Sequence, residues 1–253
     1  MLTERARHEI EHGKKLLEMD AEMTWGWGSP AGIKRAIRRG GMISDAARLD
    51  SDRRVLEVGC GTGLFTEMLA RSGAEILAVD ISEDLLVHAR RRGLSEEKVR
   101  FLAEPFEQCD VYGPFDAVVG SSVLHHLEVE VSLRKIFSLL SPGGSMVFAE
   151  PNMLNPQIFV QKNIPFIKKF LGDSPDETAF VRWSLKNLLE TIGFVDVRIT
   201  PVDWLHPHTP KSLIPSVAWM GRLLEKTPLV REFSGSLLIQ ARRPETDATS
   251  RAA

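Results

Sequence analysis

Apolar positions along the chain change period several times, and each change predicts an element. Residues 54–60 hold a continuous apolar run that stops at a glycine turn, "GCGTG", after which Phe65, Met68 and Leu69 recur at helical spacing as far as Ser72-Gly73. The unit then repeats. "EILAVD" (75–80) is followed by Ser82 as a helix cap, Glu83 and Asp84 in the first turn, and Leu85, Leu86 and Ala89 on one face. "VRFLAE" (99–104) and "FDAVVGSSV" (115–123) read as further strands, and Leu133, Ile136, Phe137 and Leu140 form a helical stripe ending at "SPGG" before the strand "SMVFAE" (145–150). Ser184 is expected to cap another helix, with Leu185, Leu188, Leu189 and Ile192 on its face and Gly193 at its end; "FVDVRIT" and "GSLLIQA" (235–241) close the pattern as strands. Strands alternating with helices imply an α/β fold, a parallel sheet covered on both faces.

Two stretches interrupt the alternation, 152–183 and 203–234. Both follow strand ends and are rich in proline, aromatics and lysine or arginine, so they are expected to be lid insertions rather than a second domain. The expected organisation is an N-terminal helical cap (1–41), one domain (42–243) carrying the two insertions, and a polar tail (244–253) that frays.

Composition narrows the class without naming a chemistry. The 253 residues carry a formal charge of -2, which gives no support to a broad nucleic-acid footprint. The basic cluster Arg35, Arg38, Arg39 reads as a solvated helix face, with anion contact as the alternative. Cys60 and Cys109 lack the spacing of a metal or redox pair. The start, "MLTERARHEIEH", is charged from Glu4 onward, and no stretch reaches the roughly 18 apolar residues of a membrane span, so a cytoplasmic location is expected.

The glycine turn sits between a strand and a helix, where ligands lie in the crevice beyond the strand carboxyl ends of an open sheet. Asp80 ends the next strand about 20 residues on, the usual distance for a carboxylate that accepts from both ribose hydroxyls of a nucleoside cofactor. A dinucleotide fingerprint is G-x-G-x-x-G, yet the glycines here stand at 59, 61 and 63, with Leu64 where the third glycine of that fingerprint would fall.

"VLEVGCGTGLFT", "AVDIS", "FDAVVGSSVLHHL" and "LSPGGSMVFAEPN", in that order, resemble the class I S-adenosylmethionine-dependent methyltransferases over residues 42–202 and 235–241. The resemblance implies a Rossmann-like, doubly wound seven-stranded sheet, mostly parallel with the last strand antiparallel. It implies S-adenosyl-L-methionine as cofactor and S-adenosyl-L-homocysteine as product. Carried over, Glu57 helps hold the methionine end through water, Gly59, Cys60, Gly61 and Gly63 form the cofactor loop, Asp80 takes the ribose and Ile81 packs on adenine. Where the family often has Asp and a small residue, this chain has Glu104-Pro105, with Phe106 next on the adenine side; Ser121 falls where the family lines the methionine portion. His126 corresponds to a position near the transferring methyl, and Glu150 is a candidate acceptor-orienting acid; histidines and acids at such strand ends also serve purely structural roles.

Other features compete with this reading. "HEIEH" (8–12) matches the H-E-x-x-H zinc helix, but it is flanked by Arg5, Arg7, Lys14 and Lys15 near an end and lacks a third ligand, so no metal is expected. "HPH" (206–208) reads as a loop. Trp25 and Trp27 close over the site or form a packed aromatic pair. No "NPPY"-like motif or Pro-Cys pair points to a nucleic-acid acceptor, so a small-molecule methyl acceptor is favoured. "PQIFVQKNIPFIKKFLG" and "KSLIPSVAWMGRLLEK" suit an apolar acceptor pocket, transient lipid contact or an amphipathic lid. Oligomeric state is left open. Three function classes follow: a methyltransferase for a small, lipophilic metabolite, an NAD(P)-dependent oxidoreductase, and a non-catalytic S-adenosylmethionine-binding relative that acts through a partner.

Overall fold

The apolar run after Arg53 becomes the central strand. The computed structural model describes residues 4–18, 20–164, 166–167 and 178–245. Parts of the first insertion and nearly all of the polar tail lie outside the described residues, as does the side chain of His12. Three helices, α1 (Glu4–Glu18), α2 (Ala21–Thr24) and α3 (Pro30–Ala47), precede β1 (Arg54–Val58). Then come α4 (Leu64–Ala70), β2 (Glu75–Asp80), α5 (Glu83–Arg90), β3 (Val99–Ala103), β4 (Phe115–Ser121), α6 (Val129–Leu139) and β5 (Leu140–Pro151). The chain continues through α7 (Pro156–Asn163), α8 (Arg182–Ile192), β6 (Val195–Val202), α9 (Ile214–Leu224) and β7 (Ser236–Arg242).

The strands form one seven-stranded sheet in the order β3-β2-β1-β4-β5-β7-β6. The five strands from β3 to β5 are parallel, and β7 runs antiparallel to both of its neighbours. The order reverses between β1 and β4, so a crevice opens there at the carboxyl ends. This is the Rossmann-like sheet that the sequence implies. β5 begins at Leu140, five residues earlier than expected, because Leu140 pairs with Phe115 and "SPGG" then forms an irregularity in the strand before pairing resumes at Ser145.

Alternation along each strand divides the core in two. Val55, Ile76, Ala78, Ala117 and Val147 pack with Ile43, Leu69 and Leu86 from α3, α4 and α5. Leu56, Val58, Val118, Met146 and Phe148 pack on the other face with Leu133, Ile136, Leu185 and Leu189 from α6 and α8. The same alternation assigns Glu57, Asp80 and Ser121 to the α3 face and Glu150 to the α6 face. Ser82 caps α5 by accepting from the Leu85 N–H at 3.3 Å, and Gly193 ends α8 at φ +115°. Ser184 is no cap: α8 starts at Arg182, and Val181 holds the cap position without a side-chain bond.

The basic cluster on α3 departs from the solvated face the sequence suggests. Arg39 is buried and donates to Ser122 at 2.9 Å and Ser236 at 2.5 Å, with Ser121 at 3.3 Å. Arg35 donates to Asp203 at 2.8 Å, and Arg38 grips Glu225 through two bonds of 2.7 and 2.6 Å. Burial, seconded by Arg35, pushes the Arg39 guanidinium down to about 10, against the pull of Asp203 and Glu150. The three arginines therefore bolt the 203–234 segment to α3. The two interrupting segments also meet each other, through Asn155 donating to the Phe233 carbonyl at 2.9 Å and Gln157 contacting His206 at 3.0 Å.

Asp203→Ala leaves Arg35 and buried Arg39 without their carboxylate, and is expected to cost about 3–5 kcal/mol in urea denaturation. Glu83→Ala, which breaks the exposed Arg90–Glu83 pair at 2.6 Å, serves as control and is expected to cost under about 1 kcal/mol. Equal, small losses in both variants would contradict the buried-network reading.

Candidate active site

Gly59, Gly61 and Gly63 all take positive φ, at +69°, +52° and +76°, a region that disfavours any side chain. Their purposes differ. A Cβ on Gly59 would stand 2.2 Å from Val123 Cγ2, so the turn packs against the loop after β4. On Gly61 it would lie 3.2 Å from the Trp25 ring, in the cradle between turn and tryptophan. On Gly63 it would meet Ala89 Cβ at 2.9 Å; this glycine caps α4 and lets α5 approach.

Asp80 ties the turn to β2. Its Oδ2 accepts from the Gly61 N–H at 2.7 Å and its Oδ1 from the Ser82 N–H at 2.9 Å. Burial raises its pKa, opposed by those two N–H groups. Each carboxylate oxygen accepts more than one hydrogen bond, so both retain capacity for a ribose hydroxyl. Beside it opens a cavity of about 680 Å³, within the usual size of small-molecule sites.

Gly59, Cys60, Gly61, Asp80, Ile81, Glu104, Pro105, Phe106, Ser121 and His126 all line this cavity, so the structure brings together ten residues singled out from the sequence. Glu57, Gly63 and Glu150 are not among its walls. Cys60 is buried, with a thiol held well above its ordinary pKa by burial, so the turn presents its backbone. Glu104 accepts from the Asp110 N–H at 3.3 Å, and its own N–H donates to the Asp80 carbonyl at 3.0 Å.

Glu57 lies beneath the turn on the α3 face, buried, with its Oε2 lacking a hydrogen-bond partner among the described residues. Burial drives its pKa up to about 7; Thr66 opposes the rise and Asp80 adds to it. Glu150 is fully enclosed and fully engaged. Its Oε1 accepts from the Val123 and Leu124 N–H groups, both at 2.9 Å, and its Oε2 faces His125 Nδ1 at 2.7 Å. Burial alone would raise its pKa, but His125 and the two N–H groups together carry it below the ordinary value. Glu150 thus holds the turn that presents His126 instead of facing an acceptor.

The N-terminal helices supply walls that no strand-helix motif signals. Arg5, Glu9, Trp25 and Trp27 all line the cavity. Trp27 is buried, edge-on to Phe65 at 5.5 Å, with the Arg35 and Arg39 guanidinium groups 4.9 and 4.7 Å from its ring. Glu22 on α2 accepts from the Thr62 hydroxyl at 2.8 Å and pairs with Arg92, which also donates to the Thr62 carbonyl at 2.7 Å. Of the two interrupting segments, the first contributes Gln161 to the cavity wall and the second contributes none of the described lining residues. No cluster of three or more metal-ligating side chains occurs among the described residues, and Glu9 of "HEIEH" is turned toward His126.

The two buried glutamates act on stability with opposite sign. Glu57, raised, contributes fully below about pH 4.5, and that contribution is lost as pH rises through about 7; Glu57→Gln should gain roughly 3 kcal/mol on wild type between pH 5 and 8. Glu150, lowered, contributes above the ordinary carboxylate range and loses its contribution as pH falls through its folded value, so Glu150→Gln should be least stable relative to wild type near neutral pH. Urea melts across pH check both; parallel profiles for wild type and Glu57→Gln would contradict the burial argument.

Comparison with known proteins bears on the same segment. Residues 55–144 match the family model described as a methyltransferase domain. The ubiquinone biosynthesis O-methyltransferase of Bordetella bronchiseptica is 36% identical over 124 residues, covering 47% of this chain and 51% of that protein. The chain thus spans about half the length of the curated relatives it matches. Among solved structures, a possible histamine N-methyltransferase from Thermotoga maritima superposes with TM-score 0.64 at 15% identity, covering 92% of this chain and 99% of that one. The N-methyltransferase NodS from Bradyrhizobium japonicum, solved with S-adenosyl-L-homocysteine, gives 0.57 at 18% identity over 86% of this chain and 90% of its own. The segment similar to a methyltransferase domain is thus the one that holds the glycine turn, Asp80 and the strands β2, β3 and β4 around them, within a sheet of the order β3-β2-β1-β4-β5-β7-β6.

Proposed function

We propose that the chain transfers a methyl group from S-adenosyl-L-methionine to a small, lipophilic acceptor bearing a hydroxyl. The observation that carries this reading is the single cavity that joins Asp80 and the glycine turn to His126. The cofactor, when bound, supplies a methyl group already activated by its sulfonium, so the protein's work is to align, to exclude water and to take a proton where the acceptor has one to lose.

Each residue fits one of these tasks. Asp80 would accept from the ribose hydroxyls, and Ile81, Pro105 and Phe106 would flank the base. Gly59 and Ser121 would hold the methionine end, and the Arg39 guanidinium behind Ser121 and Ser122 would favour its carboxylate. Glu57 beneath the turn supports that end indirectly. Trp25 covers Gly61 and keeps water away. Leu127 and Val131 give the acceptor side apolar walls, and the role of the relatives in ubiquinone biosynthesis is consistent with an acceptor of low polarity. Gln161 of the first interrupting segment adds a polar group to the cavity wall. Among the described residues no helix is long and apolar enough to cross a membrane. Two buried free thiols suit a reducing compartment, and the cytoplasm is the proposed location.

Calorimetry with S-adenosyl-L-homocysteine tests the cofactor half. Asp80→Ala removes two charge-assisted hydrogen bonds of about 1.5–3 kcal/mol each and is expected to weaken binding at least about a hundredfold. Wild-type affinity in that variant, or binding of NADH in place of the sulfur nucleoside, would overturn the assignment. Transfer of labelled methyl to a library of phenols, alcohols and amines tests the other half. His126→Ala should lower turnover on a hydroxyl acceptor by about a hundredfold to ten-thousandfold with cofactor affinity kept; unchanged turnover in a folded variant would remove His126 as base.

A further inference from the structure

The "HEIEH" segment, set aside as a metal motif, reaches the reaction cavity by another route. Helix α1 lines one side of the cavity through Arg5, Ala6, Glu9 and Gly13, and is fastened at both ends of that stretch. Arg5 donates through Nε to the His126 carbonyl at 2.5 Å and through Nη2 to the His125 carbonyl at 3.0 Å. Gly13 seats against Ser82 on the opposite side, where a Cβ would stand 2.7 Å from Ser82 Oγ. Between these ties, Glu9 Oε2 stands 2.9 Å from His126 Nδ1, with side-chain exposures of 13% and 21%. Both side chains line the cavity.

We infer that Glu9 is a positioning residue for methyl transfer, holding His126 in the tautomer with its proton on Nδ1 and its lone pair on Nε2 facing the acceptor. The inference rests on the reading of His126 as base given above. Both adjacent histidines bring Nδ1 to a carboxylate: His125 is hydrogen-bonded to Glu150 in the core at 2.7 Å, and His126 stands at ion-pair distance, 2.9 Å, from Glu9 at the cavity, where a small rotation of either side chain aligns a hydrogen bond. A carboxylate on Nδ1 fixes the ring, selects the tautomer and stabilises the imidazolium that forms when the other nitrogen takes a proton. In the transfer, the acceptor oxygen uses one electron pair to form the O–CH3 bond while the S–CH3 pair returns to sulfur as a thioether. The hydroxyl proton passes to His126 Nε2. The positive charge lost at sulfur reappears on an imidazolium beside Glu9, so the site's net charge is conserved.

Among the described residues, the charged and titratable groups bearing on His126 include Glu9 and Arg5 from α1, Asp80 at the end of β2, the His125 ring at 4.2 Å, and Glu128, 3.9 Å from Arg5. Of these, Glu9 is the carboxylate set against the imidazole Nδ1. Arg5 grips the backbone on either side of the ring, which keeps α1 and the base in register.

Two measurements on the full chain test the proposal. The first is the His126 tautomer, read by long-range 1H–15N correlation on 15N-histidine-labelled protein saturated with S-adenosyl-L-homocysteine, the signal identified by its loss in His126→Gln. Protonated Nδ1 with bare Nε2 in wild type, and loss of that preference in Glu9→Ala, is the expected result. Protonated Nε2 in wild type, or the same pattern in Glu9→Ala, overturns it. The second is steady-state transfer to a hydroxyl acceptor: Glu9→Ala should lower kcat at least about tenfold with the donor KM within about twofold, and Glu9→Gln, which still accepts from Nδ1–H without a charge, should fall between. An unchanged kcat, or a loss confined to donor KM, overturns it. A wild type that binds S-adenosyl-L-homocysteine yet methylates no hydroxyl would refute the proposed reaction, while the tautomer measurement still decides the Glu9–His126 pair.

Discussion

Asp80 accepting from the Gly61 N–H is the contact on which the site is built. It requires β2 to end beside the turn that leaves β1, which only parallel pairing of the two strands provides, and it requires a turn free of side chains. Gly61 meets that requirement because its positive φ and bare Cα leave room for Trp25 above. Once the carboxylate has fixed the turn and the start of α5, the cavity's cofactor wall is rigid before anything binds. Preorganisation of this kind matters for a reaction in which alignment supplies most of the rate.

A second structural layer supports the first from below. Arg39 crosses from α3 to the ends of β4 and β7 through three serines, so the strand end carrying Ser121 is locked to the helix and to the segment around Asp203. Glu150 performs the matching task on the opposite face, closing the turn after β4 through two backbone N–H groups and His125. A buried cation and a buried anion thus hold the two sides of one strand end. For Glu150 the cost of dehydration is outweighed by His125 and the two N–H groups, whereas for Arg39 it is offset only in part by Asp203 and Glu150, which still suffices to keep the guanidinium charged near neutral pH.

How much of this was legible in the sequence depended on whether a residue's neighbours lay close in the chain. The strands, most helices, the Ser82 cap and the pairing of the glycine turn with Asp80 follow from local period and spacing, and the structure bears them out. Ser184 misled because Arg182 and Trp183 extend α8 by two residues with no capping side chain to mark its start. The arginines of α3 read as a solvated face because their partners, Asp203, Glu225 and Ser236, lie more than 160 residues away. Gly63 looked like a third cofactor glycine but answers to Ala89 on α5. The part played by α1 was the least legible, since a charged helix gives no sign of which neighbour its carboxylates will meet.

Alignment, in one cavity, of a cofactor held by Asp80 with a base held by α1 is the proposal that a crystal structure with S-adenosyl-L-homocysteine decides. Both ribose hydroxyls are expected within hydrogen-bond distance of Asp80, with the thioether sulfur on the His126 side and Glu9 still against His126 Nδ1. Ribose bound away from Asp80, or α1 displaced from the cavity by the bound nucleoside, would contradict it.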